Sequence, residues 1–210
     1  ISNYEASDFL WGNTVKVSPT EESVTVKYNH RMAGVWVYLK AGEGITATEW
    51  EKLDKVVQVE STVRTATIDL TDGIPVPSGG VDKGIAMLPQ SGDSYRAVVV
   101  PQSVAAGKKL ISVTLDGITY THSLTSEMNY QMGKIHNFTI TINKAEASGD
   151  YELKVSYDGI TDWVNDETSH QFIANSYIVL SVNKEGTLED CIRQAKLNPS
   201  SIKNLKLTGF

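Results

Sequence analysis

The stretch that decides the fold is Leu110-Ile111-Ser112-Val113-Thr114-Leu115-Asp116-Gly117-Ile118-Thr119-Tyr120-Thr121-His122-Ser123-Leu124. On both sides of Asp116-Gly117 apolar and polar residues alternate, and a period of two belongs to a β-strand with one face buried. Asp-Gly is favoured in two-residue type I′ turns, where both central residues need positive φ. A loop of that length sets the register. Leu115 faces Ile118, Val113 faces Tyr120 and Ile111 faces His122 on one side, with Thr114 opposite Thr119 and Ser112 opposite Thr121 on the other. The stretch predicts a tight antiparallel hairpin.

The same alternation runs outward from Thr14 to Tyr157, carried by Val, Ile, Thr and Tyr, with turn residues at the spacing expected of a β-sandwich. Residues 23–28 predict a strand in which Val24, Val26 and Tyr28 line one face and Thr25 and Lys27 the wet one. Residues 35–39 are apolar on both faces, which predicts a central strand almost inaccessible to water. His136, Phe138, Ile140 and Ile142 alternate with Asn137, Thr139 and Thr141. Tyr151, Leu153, Val155 and Tyr157 repeat the pattern before Asp158-Gly159, which reads as another turn. One short helix interrupts the strands: Thr46 and Glu49 make a capping box, Ile45 and Trp50 a hydrophobic staple, and about two turns end near Lys55. Residues 71–93 hold Pro75, Pro77, Gly79, Gly80, Pro89 and Gly92, and read as mostly loop with a short strand at 85–88. The fold class is all-β: an antiparallel sandwich with one short helix over residues 1–168, followed by a small α/β segment over 169–210.

That last segment has its own pattern. Tyr177 opens a strand; Thr187 caps a helix whose Leu188, Cys191, Ile192 and Ala195 share a face; Asn198-Pro199 ends it. Ile202, Leu205 and Leu207 then have the spacing of the strand in a leucine-rich repeat. A lone repeat cannot bury its apolar face, so this reading expects 169–210 to be the N-terminal cap of a longer repeat domain.

The chain has 210 residues, 40% hydrophobic and 21% charged, an ordinary globular composition that excludes disorder and coiled coil. Its 19 Lys and Arg against 25 Asp and Glu give a formal charge of -6, with no basic surplus to displace phosphate counterions, so nucleic acid is not an expected partner. No stretch approaches the roughly 18 apolar residues of a membrane-spanning helix. Ile1 opens the chain with neither a charged nor an apolar leader region, so an export signal or lipid anchor is expected outside these residues. Cys191, a single cysteine, makes no internal disulfide and reads as a small core residue.

Candidate chemistry is sparse. His30, His122, His136 and His170 are scattered without metal-ligand spacing, and His122 and His136 fall on inward-reading strand faces, where a histidine is structural. Gly92-Asp93-Ser94 echoes a hydrolase nucleophile, but no histidine or carboxylate can be placed beside Ser94. Asp162, Asn165, Asp166 and Glu167 offer oxygen ligands for calcium without the ordered Asp-x-Asp-x-Asp-Gly loop, and read as a solvated turn. Trp11, Trp36, Trp50 and Trp163 could stack on sugar rings. Three of them have structural readings: Trp36 in the apolar strand, Trp50 in the staple, Trp163 sealing the end of the core. Asn137-Phe138-Thr139 matches a glycosylation acceptor inside a strand. No catalytic, cofactor-binding or metal-binding residue is expected.

Several motifs together resemble the fimbrillin family, the fimbrial subunits and surface lipoproteins of Bacteroides-type bacteria. They are Asp8-Phe9-Leu10-Trp11-Gly12, Tyr28-Asn29-His30-Arg31-Met32 leading into Val35-Trp36-Val37, Val98-Val99-Val100-Pro101-Gln102, Gly133-Lys134 leading into Phe138-Thr139-Ile140-Thr141-Ile142, and Ile160-Thr161-Asp162-Trp163. Their order and spacing cover some three quarters of the chain. The resemblance implies a transthyretin-like sandwich, exported and lipid-anchored on the outer membrane, whose pilus subunits join by strand exchange; it does not imply catalysis. Family members carry another β domain before the Asp8-Phe9-Leu10-Trp11-Gly12 motif, and only a few residues precede it here. The tail resembles the entry to the leucine-rich repeat surface proteins of the same bacteria. The expectation is a non-enzymatic cell-surface structural or adhesive protein that contacts other subunits or host surface proteins and glycans, with residues 71–93 as its contact surface. The alternative is a carbohydrate-binding module of a surface polysaccharide-uptake system.

Overall fold

The computed structural model describes residues 4–12, 27–81, 84–163, 178–181 and 205–208. The hairpin reads out as expected: all five predicted pairs are in register, and Asp116 and Gly117 sit at φ of 46° and 85°. In chain order the strands of the first half are β1 (Leu10–Gly12), β2 (Tyr28–His30), β3 (Ala33–Ala41), β4 (Lys55–Val59), β5 (Val63–Asp69), β6 (Ile74–Val81), β7 (Ile85–Ala86) and β8 (Leu88–Pro89). Then come β9 (Ser94–Val99), β10 (Gln102–Val104), β11 (Lys109–Leu115), β12 (Ile118–Ser123), β13 (Met128–Tyr130), β14 (Lys134–Lys144) and β15 (Tyr151–Asp162), with helix α1 (Ala47–Lys52) between β3 and β4.

Two sheets make the sandwich, one ordered β12-β11-β4-β7 and the other β15-β14-β3-β9-β8. Alternation explains which side chains lie between them. Val57 and Val59 on β4 and Ile111, Val113 and Leu115 on β11 join Val35, Val37 and Leu39 on β3, Ala97 and Val99 on β9, and Phe138, Ile140 and Ile142 on β14 in one buried cluster. Fully burying each of the Val, Leu, Ile and Phe side chains among them contributes about 1.5–3 kcal/mol. Three two-stranded sheets, β1-β2, β5-β6 and β10-β13, surround this core. α1 packs Ile45 and Trp50 against it, and both halves of the capping box are formed. The Thr46 amide and hydroxyl, with Lys144 beyond them, hold the Glu49 carboxyl down at about 2.

Five details differ from the sequence reading. β14 pairs with β3 in parallel at the centre of its sheet, because side-chain alternation does not encode strand direction. α1 stops at Lys52, and Lys55 already belongs to β4. Asp158-Gly159 is no turn: β15 runs through it, and the register steps from Asn137↔Gly159 to Phe138↔Tyr157, a bulge made possible by Gly159 at φ 97°. Residues 74–81 are a strand paired with β5 despite Pro75 and Pro77. Those prolines share one parity, so both ring nitrogens can face the open edge, the one place a strand tolerates them. Finally, only one face of residues 35–39 is dry: Trp36 is half-buried and Tyr38 is 36% exposed, because among the described residues no second layer covers that face at Tyr38.

The predicted strand at 23–28 falls largely outside the described residues, with Tyr28 opening β2. Of the C-terminal segment the structure describes β16 (Ile178–Ser181) and β17 (Leu205–Thr208), which belong to a second compact unit. They pair in parallel, from Ile178 opposite Leu205 to Ser181 opposite Thr208. The predicted helix and Cys191 lie outside the described residues.

Candidate functional site

Four of the sequence motifs converge on one corner of the sandwich. β1 pairs with β2, Leu10 opposite His30, and the Arg31 amide extends the ladder by donating to the Phe9 carbonyl at 2.9 Å. His30 Nδ1 donates to the Asp8 carboxylate at 2.9 Å, and its ring stacks on Trp163 at 4.4 Å and 9°. Trp163 in turn lies over Gly34, where a Cβ would come within 3.3 Å of the indole. The Trp163 amide donates to the Gly133 carbonyl, and the Gly133 amide to the Met32 carbonyl. Gly133 occupies the left-handed region at φ 68°, as the third residue of a turn closed by Lys134 N–H to the Gln131 carbonyl. An ion pair between Lys134 and Asp162 ties β14 to β15.

Trp11 is the pin of a second joint. Its indole N–H donates to the Leu70 carbonyl at 3.1 Å, the Arg31 guanidinium lies 4.5 Å above its ring, and Gly73 lies against the indole. A Cβ at Gly73 would fall 2.3 Å from Trp11 Cγ. The arrangement fastens the β5-β6 hairpin to the N-terminal strand. The other end of that hairpin is held by Gln102, whose side-chain amide accepts from Val63 N–H at 2.8 Å and donates to the Val63 carbonyl at 3.0 Å. One glutamine thus acts as a one-residue strand. Sequence reading singled out neither Gly73 nor the role of Gln102; prolines spaced by two were the available signal that 74–81 forms an edge strand.

The remaining candidates are dispersed. Ser94 opens β9 and its hydroxyl donates to the Ser91 carbonyl at 2.9 Å. Trp50 Nε1 donates to Asp93, and Lys55 lies over the Trp50 ring and pairs with Asp93 at 3.1 Å. Trp36 lies under the Arg96 guanidinium at 4.2 Å. Each of the four tryptophans therefore has a cation, a ring or a hydrogen bond that uses it as a fastener. Asn137 is half-buried, its side-chain amide directed to Thr161 Oγ1 at 3.1 Å. Of the histidines, His122 is half-buried on edge strand β12 and His136 is wholly buried; His170 lies outside the described residues, as do Asn165, Asp166 and Glu167. Among the described residues no group of three His, Cys, Asp or Glu side chains could hold a metal ion, and no helix is long and apolar enough to cross a membrane.

Surfaces able to meet a partner are of two kinds. The β5-β6 hairpin carries exposed apolar side chains, with Leu70 73%, Ile74 46%, Val76 56% and Val81 64% accessible. β15 is an edge strand of 12 residues whose outer half exposes Tyr157 and Ile160.

Fold and site together define an all-β sandwich whose charged and aromatic clusters join strands to one another. The chain belongs to the fimbrillin-like family, whose sequence model matches residues 1–163. Among solved structures it is similar to a candidate cell adhesion protein of Bacteroides uniformis, at 19% identity and a TM-score of 0.51, over 67% of this chain and 54% of that one. A candidate cell adhesion protein of Bacteroides ovatus matches at 18% identity and a TM-score of 0.50, over 69% of this chain and 49% of that one. The chain thus spans about half the length of those proteins, and the likeness is one of fold. No curated protein matches it.

Proposed function

We propose that this protein is a non-enzymatic structural or adhesive component of the bacterial cell surface, which works by binding other protein subunits. Membership of the fimbrillin-like family supports the surface and assembly role. The observation that carries the contact assignment is the exposed apolar side of the β5-β6 hairpin. A two-stranded sheet is marginal on its own, and a wet face bearing Leu70, Ile74, Val76 and Val81 gains from being covered by a partner. This hairpin contains much of the irregular-looking stretch 71–93. In the same reading, residues 1–168 form the sandwich, residues 169–210 open a leucine-rich repeat module, and a lipid anchor upstream holds the whole on the outer membrane. Strand exchange between subunits would use an open sheet edge.

Replacing Ile74 and Val76 together by Ser in the full-length protein is expected to lower capture of its partner subunit, or adhesion of the displaying cells, about tenfold at unchanged surface display. Undiminished capture and adhesion would remove the hairpin from the contact. Binding to defined sugars on a glycan array would instead favour the carbohydrate-binding module.

A further inference from the structure

His136 is 0% exposed, and both ring nitrogens are engaged. The Gln131 backbone N–H donates to Nε2 at 3.0 Å, so Nε2 presents a lone pair and the ring proton resides on Nδ1. Nδ1–H then donates to Tyr157 Oη at 3.1 Å. The geometry dictates one neutral tautomer. A second proton can go only to Nε2, where it would meet the Gln131 N–H head-on.

The turn that begins at Gln131 is the one that holds the corner. Its Met132 sulfur lies 3.9 Å from Arg31 Nη1, its Gly133 amide donates to Met32, and its Gly133 carbonyl receives Trp163. Trp163 supports the stack on His30. A change at Nε2 therefore reaches β2 and the end of β15 through bonded contacts.

We propose that His136 is an acid-released latch: in its neutral form it fastens the 131–133 turn, and its protonation frees that turn and the corner above it while the two sheets stay paired.

The groups around the ring permit this. Tyr130 from β13 meets it edge-on at 5.2 Å and Tyr157 from β15 lies nearly parallel at 6.2 Å, while Val35 on β3 and Ile160 on β15 are its register neighbours. Burial raises the titration of both tyrosines, so they stay neutral throughout the acid range. Burial alone lowers the imidazole from 6.5 to about 4, with no charged side chain contributing. The charged pairs of the corner are Asp8 with His30, and Lys134 with Asp162 where the turn closes, two residues before His136 on β14.

Amide exchange and imidazole 15N shifts of the intact chain, followed from pH 7 to 3.5, test the latch. As His136 titrates, the protection factors of the Gln131 and Gly133 amides are expected to fall at least tenfold while those of Val37 and Ile140 hold. The same opening is expected in Asp8→Asn, which separates it from the Asp8–His30 pair. Unchanged Gln131 protection through the imidazole titration overturns the proposal, as does loss in step with Val37. His136→Phe retaining the acid opening also overturns it; should that variant not fold, the wild-type titration decides.

Discussion

A single glycine or histidine here often decides whether two segments meet. Gly34 and Gly73 admit an indole each; the close approach alone demands glycine at 34, while at 73 a left-handed backbone, φ 67°, demands it as well. His136 has a different consequence, for stability against pH. Its pKa lies at about 4 in the folded protein against 6.5 ordinarily, so between these values the unfolded chain binds more protons. Stability contributed by the neutral ring is therefore complete above 6.5 and is lost as pH falls through that window. From this group, urea unfolding at pH 5.0 is expected to show a stability about 2 kcal/mol below that at pH 7.5. Equal stabilities at the two pH values would contradict the assignment of a buried neutral imidazole.

At the scale of elements, local patterns sufficed where an element depends only on itself. The hairpin of β11 and β12 has its turn chemistry and its register inside fifteen consecutive residues. α1 carries its own cap, although its C-terminal end was set by the demand of β4 for Lys55 beside Leu115. β5 and β6 are different, because what secures them comes from far along the chain: Gln102 at one end and Trp11 at the other. Gln102→Leu leaves the half-buried Val63 amide and carbonyl without a partner, at a cost of about 1–3 kcal/mol. Trypsin cleavage after Arg64 is expected to accelerate at least tenfold in that variant while the β3 and β14 amides keep their exchange protection. Cleavage at the wild-type rate would show that Gln102 is dispensable to the hairpin.

For the whole molecule, closure of the sheets determines where another chain can add. β7 and β8 are two residues long, and β8 ends in Pro89, so that side offers no useful edge. On the opposite side the Tyr120 and Tyr151 rings meet edge-on at 6.0 Å, bringing β12 and the start of β15 together. Beyond the bulge at Asp158 no strand among the described residues pairs with the outer edge of β15. Ile160→Lys is expected to lower self-association of the full-length protein at least tenfold in sedimentation experiments. Melting should shift by no more than a few degrees, since that side chain is already 41% exposed. Unaltered assembly would exclude this edge as the docking strand.

Local sequence by itself determined that this protein is an all-β sandwich, where its central hairpin turns and which face of that hairpin, of β14 and of β4 is dry, but not that the Tyr38 side of β3 is wet. These properties arise between residues a few positions apart, so they are written locally. The tertiary structure decided the parallel pairing of β3 with β14, the bulge in place of a turn at Asp158, and the corner joining Asp8, Trp11, His30, Arg31, Gly133 and Trp163. Those features depend on contacts between residues tens of positions apart, and periodicity says which side of a strand is buried but not which distant segment buries it.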